Sequence, residues 1–255
     1  MMGRDHALLG AVVFLAAAPT VAVAAHYDLP IGELAVGSIV TAGFALFPDI
    51  DEPHSLVSRK LGFVSRAVAE VTNKLAGGHR QATHSALFAL FVTIGCWFAV
   101  RQNEWVAFGI VAATVLLTAK IILPMGMGRS TLVVMALALG GSYWAMRATG
   151  VGMWLPLCAG IGCILHLVGD MLTIEGVPLF WPLKIRLKAP ILGHTQSTRE
   201  AILGFCLSVI LLFLVYISIL QPLIAHSGNF NFSVGGHNFN VPNINTPNIT
   251  IPGAG

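Results

Sequence analysis

Charge is scarce in this chain. Only 10% of its 255 residues are Asp, Glu, Lys or Arg, against roughly a quarter in a soluble domain, while 56% are hydrophobic and the mean hydropathy is +0.80. These values exclude an ordinary soluble domain and identify an integral membrane protein. Cysteine is equally sparse: Cys96, Cys158, Cys163 and Cys206 all fall inside apolar runs, without CxxC spacing. A disulfide framework and a cysteine zinc site are therefore excluded, and the four read as small buried hydrophobes. A net charge of +3 is too small to mark a nucleic-acid partner.

What the chain has is apolar length. Seven runs, at 7–25, 33–48, 85–100, 105–123, 131–147, 153–172 and 201–221, predict an all-α polytopic membrane bundle; the second and third are short for a full span. With the amino terminus inside, twelve of the 14 basic residues collect on the inner face and only Arg101 and Arg147 lie outside. This asymmetry predicts amino terminus in and carboxyl terminus out. Arg4, the first run and the small residues Ala22 to Ala25 also fit a cleaved signal peptide; retaining the segment preserves the alternation of basic loops. We expect a membrane domain over 1–225 and an Asn-rich, low-complexity, flexible or weakly self-associating tail outside the membrane over 226–255.

Polar side chains inside such runs are expensive and therefore candidates for function. His166 and Asp170 stand four apart near the end of the sixth run, which places them on one helical face. FPDIDEPHS at 47–55 should end the second helix at Pro48 and hold Asp49 and Asp51 in a turn, either as divalent-metal ligands or as a solvated acidic loop. In GHRQATHS at 78–85, His84 reads as a metal ligand pointing into the bundle and His79 or Arg80 as an anion contact at the interface, with Thr83 and Ser85 as helix caps. Over 55–76, Leu61, Val64, Val68, Val71 and Leu75 recur at helical spacing with basic residues largely opposite. This is an interfacial amphipathic helix, stopped by Gly77-Gly78.

Lys120 should snorkel to the inner surface, Gly126, Gly128 and Arg129 should form a turn, and Gly140-Gly141 should allow close helix packing. Lys184, Arg186 and Lys188 alternate with Ile185 and Leu187, either as a short strand or as a basic ribbon on lipid. His194 and Glu200 read as substrate groups or as solvent-exposed helix-start residues, and His6, alone, means little.

The topology nonetheless gathers His6, Asp49, Asp51, His84, His166 and Asp170 at the inner ends of different spans. Three histidines and three aspartates at one depth suit zinc or manganese, with room for two ions or for one ion and a carboxylate base.

FPDIDEPHS, GHRQATHS and HLVGDMLTIEGVPLFWP, with the early HxxxG at His6 and Gly10, resemble the YdjM family over roughly residues 3–205. That family is described as LexA-regulated, inner-membrane, metal-dependent hydrolases similar to zinc-dependent phospholipase C. The resemblance implies an inner-membrane location and metal ligation at His6, Asp49, Asp51, His84, His166 and Asp170, with Glu200 a weaker carry-over. The tail has no counterpart in it.

The function expected is hydrolysis of a phosphoester or ester of a membrane lipid by a metal-activated water at the cytoplasmic face, with Asp49 or Asp51 accepting the proton and His79, Arg80 and Glu200 contacting substrate. A metal or proton transporter using the same ligands, and a noncatalytic scaffold acting through the tail, are the alternatives. Substrate, metal number and oligomeric state are not legible in the sequence.

Overall fold

The computed structural model describes residues 1–52, 63–122, 131–226, 231–234 and 237–240. All seven apolar runs are helical: α1 (Gly3–Ala24), α2 (Ile31–Phe44), α4 (Ala86–Gln102), α5 (Glu104–Ile122), α6 (Thr131–Ala148), α7 (Val151–Met171) and α8 (Thr198–Val215). The amphipathic segment supplies α3 (Phe63–Ala76); α8 continues through a π turn, Tyr216–Leu220, into α9 (Gln221–His226). The chain is an all-α membrane bundle. Five helical stretches are long and apolar enough to cross a membrane, Gly3–Ala24, Ile31–Asp51, Glu104–Ile122, Gly152–Met171 and Thr198–Ile224, while Ala86–Gln102 and Leu132–Ala148 are shorter. The second run thus gains length from the turn that follows it, the third is short as expected, and the fifth joins it among the shorter helices.

Helix α2 lies at the centre, packed on α1, α5 and α7. Lipid and apolar side chains attract a helix equally, so packing here depends on how closely backbones approach. A Cβ on Gly162 would lie 2.6 Å from Phe44 Cβ and 2.7 Å from the Thr41 carbonyl, and one on Gly43 would lie 2.6 Å from Thr114. These glycines, and not Gly140-Gly141, make the close contacts. Both of the latter face open space, because α6 sits at the edge of the bundle with Leu132 and Leu137 outermost. Phe14, Leu15, Phe44, Val111, Leu155 and Cys163 fill the core. Cys96 and Cys158 are also buried as expected, while Cys206 is exposed.

At the end of the bundle where α2 begins, Glu33 is buried and accepts hydrogen bonds from Tyr27 Oη, Trp154 Nε1 and the Gly150 amide, each at 2.8 Å. This ties the start of α2 to the start of α7.

At the opposite end the chain departs from helix in three places. Helix α2 stops at Phe44, earlier than Pro48 alone predicted, because the backbone tightens to i→i+3 bonds at Leu46 and Phe47 before the Pro48–Asp51 turn. Helix α3 ends at Gly77 (φ +82°) and Gly78 (φ +112°), whose amide bonds back to the Asn73 carbonyl at 2.9 Å. Val68, Val71 and Leu75 are exposed while Ala69 and Ala76 are buried, as an interfacial helix requires; the earlier part of this segment lies outside the described residues.

Third, residues 173–193 form a ribbon. Val177 and Leu187 exchange backbone hydrogen bonds of 3.0 and 2.9 Å, and Gly176 (φ +61°) sits so close that a Cβ there would lie 2.5 Å from the Leu187 carbonyl. Isolated bridges, and no continuous strand, hold this basic segment.

Lys120 is buried and does not snorkel. The turn at Gly126, Gly128 and Arg129 lies outside the described residues. In the tail, β1 (Asn231–Val234) pairs antiparallel with β2 (His237–Asn240).

Candidate metal centre

Antiparallel packing brings the start of α1, the end of α2, the start of α4 and the end of α7 to one end of the bundle. Each delivers polar side chains. Helix α1 carries His6, the turn after α2 carries Asp49 and Asp51, the α3–α4 connection carries His79 to His84, and the last turns of α7 carry His166 and Asp170. His6, Asp51, His84, His166 and Asp170 are all 0% exposed.

The centre is the meeting of His84 and His166, whose Nε2 atoms stand 3.1 Å apart. His166 Nδ1 donates to the Ala45 carbonyl at 2.7 Å, which places its proton on Nδ1 and turns the Nε2 lone pair toward His84. Around these two nitrogens, Asp49 Oδ1 lies 3.6 Å from each, and Asp170 Oδ2 lies 3.5 Å from His84 and 3.7 Å from His166. His6 stacks on His166 with ring centroids 3.8 Å apart and places Nε2 3.3 Å from Asp170 Oδ1. The Met1 amino nitrogen also touches Asp170 Oδ1.

Two ligand triads result, His6–His166–Asp170 and Asp49–His79–His84, the donor atoms within each lying inside 4.8 Å of one another. His79, read from the sequence as an anion contact, stands in the second of these groups. The residues fit a divalent metal on a direct observation: both ring nitrogens of His6 are buried without hydrogen-bond geometry to a partner among the described residues, beside an Asp170 carboxylate. Buried polar atoms are ordinarily paired, so such an arrangement asks for a cation. Mixed imidazole and carboxylate donors suit zinc or manganese.

A ring of second partners holds the ligands. Asp51 accepts from His79 Nδ1 at 2.8 Å, from the Arg80 amide at 3.2 Å and from Thr83 Oγ1. With both oxygens so engaged, Asp51 positions His79 and the 80–84 turn. Thr83 accordingly serves Asp51, while Ser85 is the helix cap, accepting from Phe88 N at 3.2 Å.

Arg80 is not at the interface as expected. It is 7% exposed, adopts φ +56°, and points its guanidinium at Asp170, with Nε and Nη2 each 3.1 Å from a carboxylate oxygen and Nη1 on Glu175. Arg186 in turn donates to the Arg80 carbonyl at 3.3 Å. Burial favours the neutral form of His84, but hydrogen bonds to Asp49 and Asp51 outweigh it and raise its pKa to about 9. The pocket attracts positive charge.

Glu200 is not brought to this cluster. It is 1% exposed and accepts from the amides of Met2 and Gln196, joining the start of α8 to the start of α1. His194 is solvent-exposed. Glu175 was missed in the sequence because it lies outside the apolar runs; its only signal is its place between Asp170 and the ribbon.

A family model described as YdjM inner membrane protein matches residues 1–222. The chain is 28% identical over 154 residues to the inner membrane protein YdjM of Escherichia coli (strain K12), and equally to that of Shigella flexneri. Each alignment covers 60% of this chain and 53% of the relative, so the chain spans about half the length of the curated relatives it matches. No solved structure matches.

Proposed function

Because the chain belongs to the YdjM family of inner membrane proteins and gathers its buried histidines and aspartates at one end of the bundle, we propose that it is a metal-dependent hydrolase of membrane-lipid phosphoesters. The single observation that carries this reading is the convergence of buried His6, His84, His166 and Asp170 at one point, with neither His6 ring nitrogen in hydrogen-bond geometry and the His84 and His166 nitrogens facing each other. His6, His166 and Asp170 would hold one divalent ion, and Asp49, His79 and His84 a second. A cation bound there supplies Lewis acidity, polarising the ester and making a water acidic enough to attack at neutral pH.

The chain's own residues do the rest. Asp49, the more exposed aspartate of the turn, is the base that takes the proton of the attacking water, since Asp51 has both oxygens engaged. The water oxygen bonds to phosphorus, the P–O bond to the leaving alcohol breaks, and Asp49 returns its proton to that alcohol. Arg80, already beside Asp170, has the planar fork that binds a phosphate oxygen. Arg186 and the exposed Lys184 and Lys188 draw the anionic headgroup to the surface. The inside-positive distribution of Lys and Arg supports a cytoplasmic position for this end.

The test is metal content and phosphoester turnover of purified protein beside His166→Ala. Bound zinc or manganese with turnover, both lost in the variant, supports the reading. A protein that binds neither metal overturns it.

A further inference from the structure

Two apolar cavities flank α4, and the lining of each includes residues next in sequence to those of the candidate metal centre. The larger, about 650 Å³, lies between α4 and α7 against Leu90, Thr93, Gly160 and Ile164. Ala86, Met171 and Leu179 close its end nearest the cluster. Ala86 is two residues past His84, and Met171 adjoins Asp170. The smaller, about 330 Å³, lies on the other side of α4, against Phe91, Cys96 and Ile110, and ends at Phe47 and Ile50, the residues bracketing Pro48 and Asp49. No charged side chain lines either cavity among the described residues.

Both open sideways toward lipid. Leu90 and Ile164 on one rim are 55% and 53% exposed, and Phe91 on the other is 72% exposed. The larger groove follows α7 from Pro156 to Met171, about 22 Å of helix, enough to cross the ~15 Å hydrocarbon depth of one leaflet. Its floor is a close approach of α4 and α7, where a Cβ on Gly160 would lie 3.0 Å from Thr93 Oγ1. Cavities of about 300–1,000 Å³ are the size of small-molecule sites, too small for a partner helix.

Polar groups lie where the grooves end. Leu179 belongs both to the groove and to the ribbon, and its carbonyl accepts from the Ala86 amide at 2.9 Å. The same ribbon exposes Phe180, Leu183 and Ile185 between Lys184, Arg186 and Lys188, a composition suited to the anionic headgroup layer.

We infer that the lipid of this site is a two-chained anionic glycerolipid that straddles the start of α4, one acyl chain in each groove and its phosphate between Asp49, His84 and Arg80. The inference rests on the hydrolase reading for what happens to that lipid, and not for where its chains lie. Two grooves meeting at one polar centre match a diacyl lipid, whereas a single-chain polyprenyl phosphate would fill one.

The experiment uses the full chain in vesicles of phosphatidylethanolamine and phosphatidylglycerol, with a trace of phosphatidylglycerol carrying a diazirine midway along each of its two acyl chains. Illumination followed by peptide mapping locates the chains. Label concentrated on the walls of both grooves is the expected result, and Ile164→Trp, a change on the lipid-facing rim, should cut labelling of the larger groove about tenfold, the effect of displacing about two buried methylenes.

Label spread evenly over the exposed faces of α6 and α8 would overturn the inference. Label in the larger groove alone would overturn the two-chain assignment. Label in both grooves without turnover of the lipid would leave the docking inference standing and count against the hydrolase reading alone.

Discussion

His84 Nε2 and His166 Nε2 face each other at 3.1 Å, with the His166 proton committed to the Ala45 carbonyl. At that separation the His166 lone pair either accepts a hydrogen bond from His84 Nε2 or shares a cation with it. The pair joins the connection before α4 to the end of α7, so it brings the two candidate ion groups together from distant parts of the sequence.

Replacing either member should therefore cost an ion. In His84→Ala and in His166→Ala we expect zinc content to fall by about one ion per chain, the ion of the group that loses its histidine, measured by plasma emission on detergent-purified protein. Full zinc retention in either variant would remove that histidine from the site.

Asp51 acts through others. Asp51→Asn should weaken zinc binding about 10- to 100-fold, the usual effect of losing a group that orients a ligand, while keeping stoichiometry at saturating metal. Calorimetric titration measures this; an unchanged affinity would contradict the positioning role assigned through His79 and Thr83.

Arg80 neutralises Asp170 in the interior. Arg80→Ala should destabilise the metal-free protein, by less than the about 3–5 kcal/mol of a fully unpaired buried charge because the Met1 amino group stays on Asp170. Its contact with the 58%-exposed Glu175 adds little, because solvent screens it. Zinc should restore much of the loss, since a cation again faces Asp170. Equal melting-temperature deficits with and without zinc would refute this.

The pH dependence follows from His84, whose pKa rises from the usual 6.5 to about 9 in the fold. A raised value means that the protonated form is favoured by folding, so its contribution is complete below about pH 6.5 and is lost as pH climbs through 9. Chelator-treated protein should melt at progressively lower temperature across that window. Zinc-loaded protein should instead lose stability on acidification, as protons displace the metal from its ligands. Parallel profiles for the two forms would rule the metal site out.

Glu33 provides the contrast. Glu33→Ala leaves the donors of Tyr27, Trp154 and Gly150 unpaired and should cost about 1–3 kcal/mol with zinc content unchanged. Metal loss in this variant would mean that the two ends of the bundle are coupled.

The sequence by itself determined the membrane class, the positions of the seven apolar helices and the end at which polar residues collect. Apolar length and the type of residue are local properties, and a helix that runs the length of the bundle fixes which end its terminal residues reach. His6, Asp49, Asp51, His84, His166 and Asp170 were legible on that ground. Only tertiary structure decided which side chains touch. Rotation of each helix about its axis and the course of the connections depend on contacts between residues far apart in sequence. Gly43 and Gly162 set how closely α2 meets its neighbours, where Gly140-Gly141 had seemed the candidates. The left-handed backbone at Arg80 turned its guanidinium inward, and Asp51 drew His79 into the ligand set. Glu200 went instead to the Met2 amide, because the start of α8 packs on the start of α1.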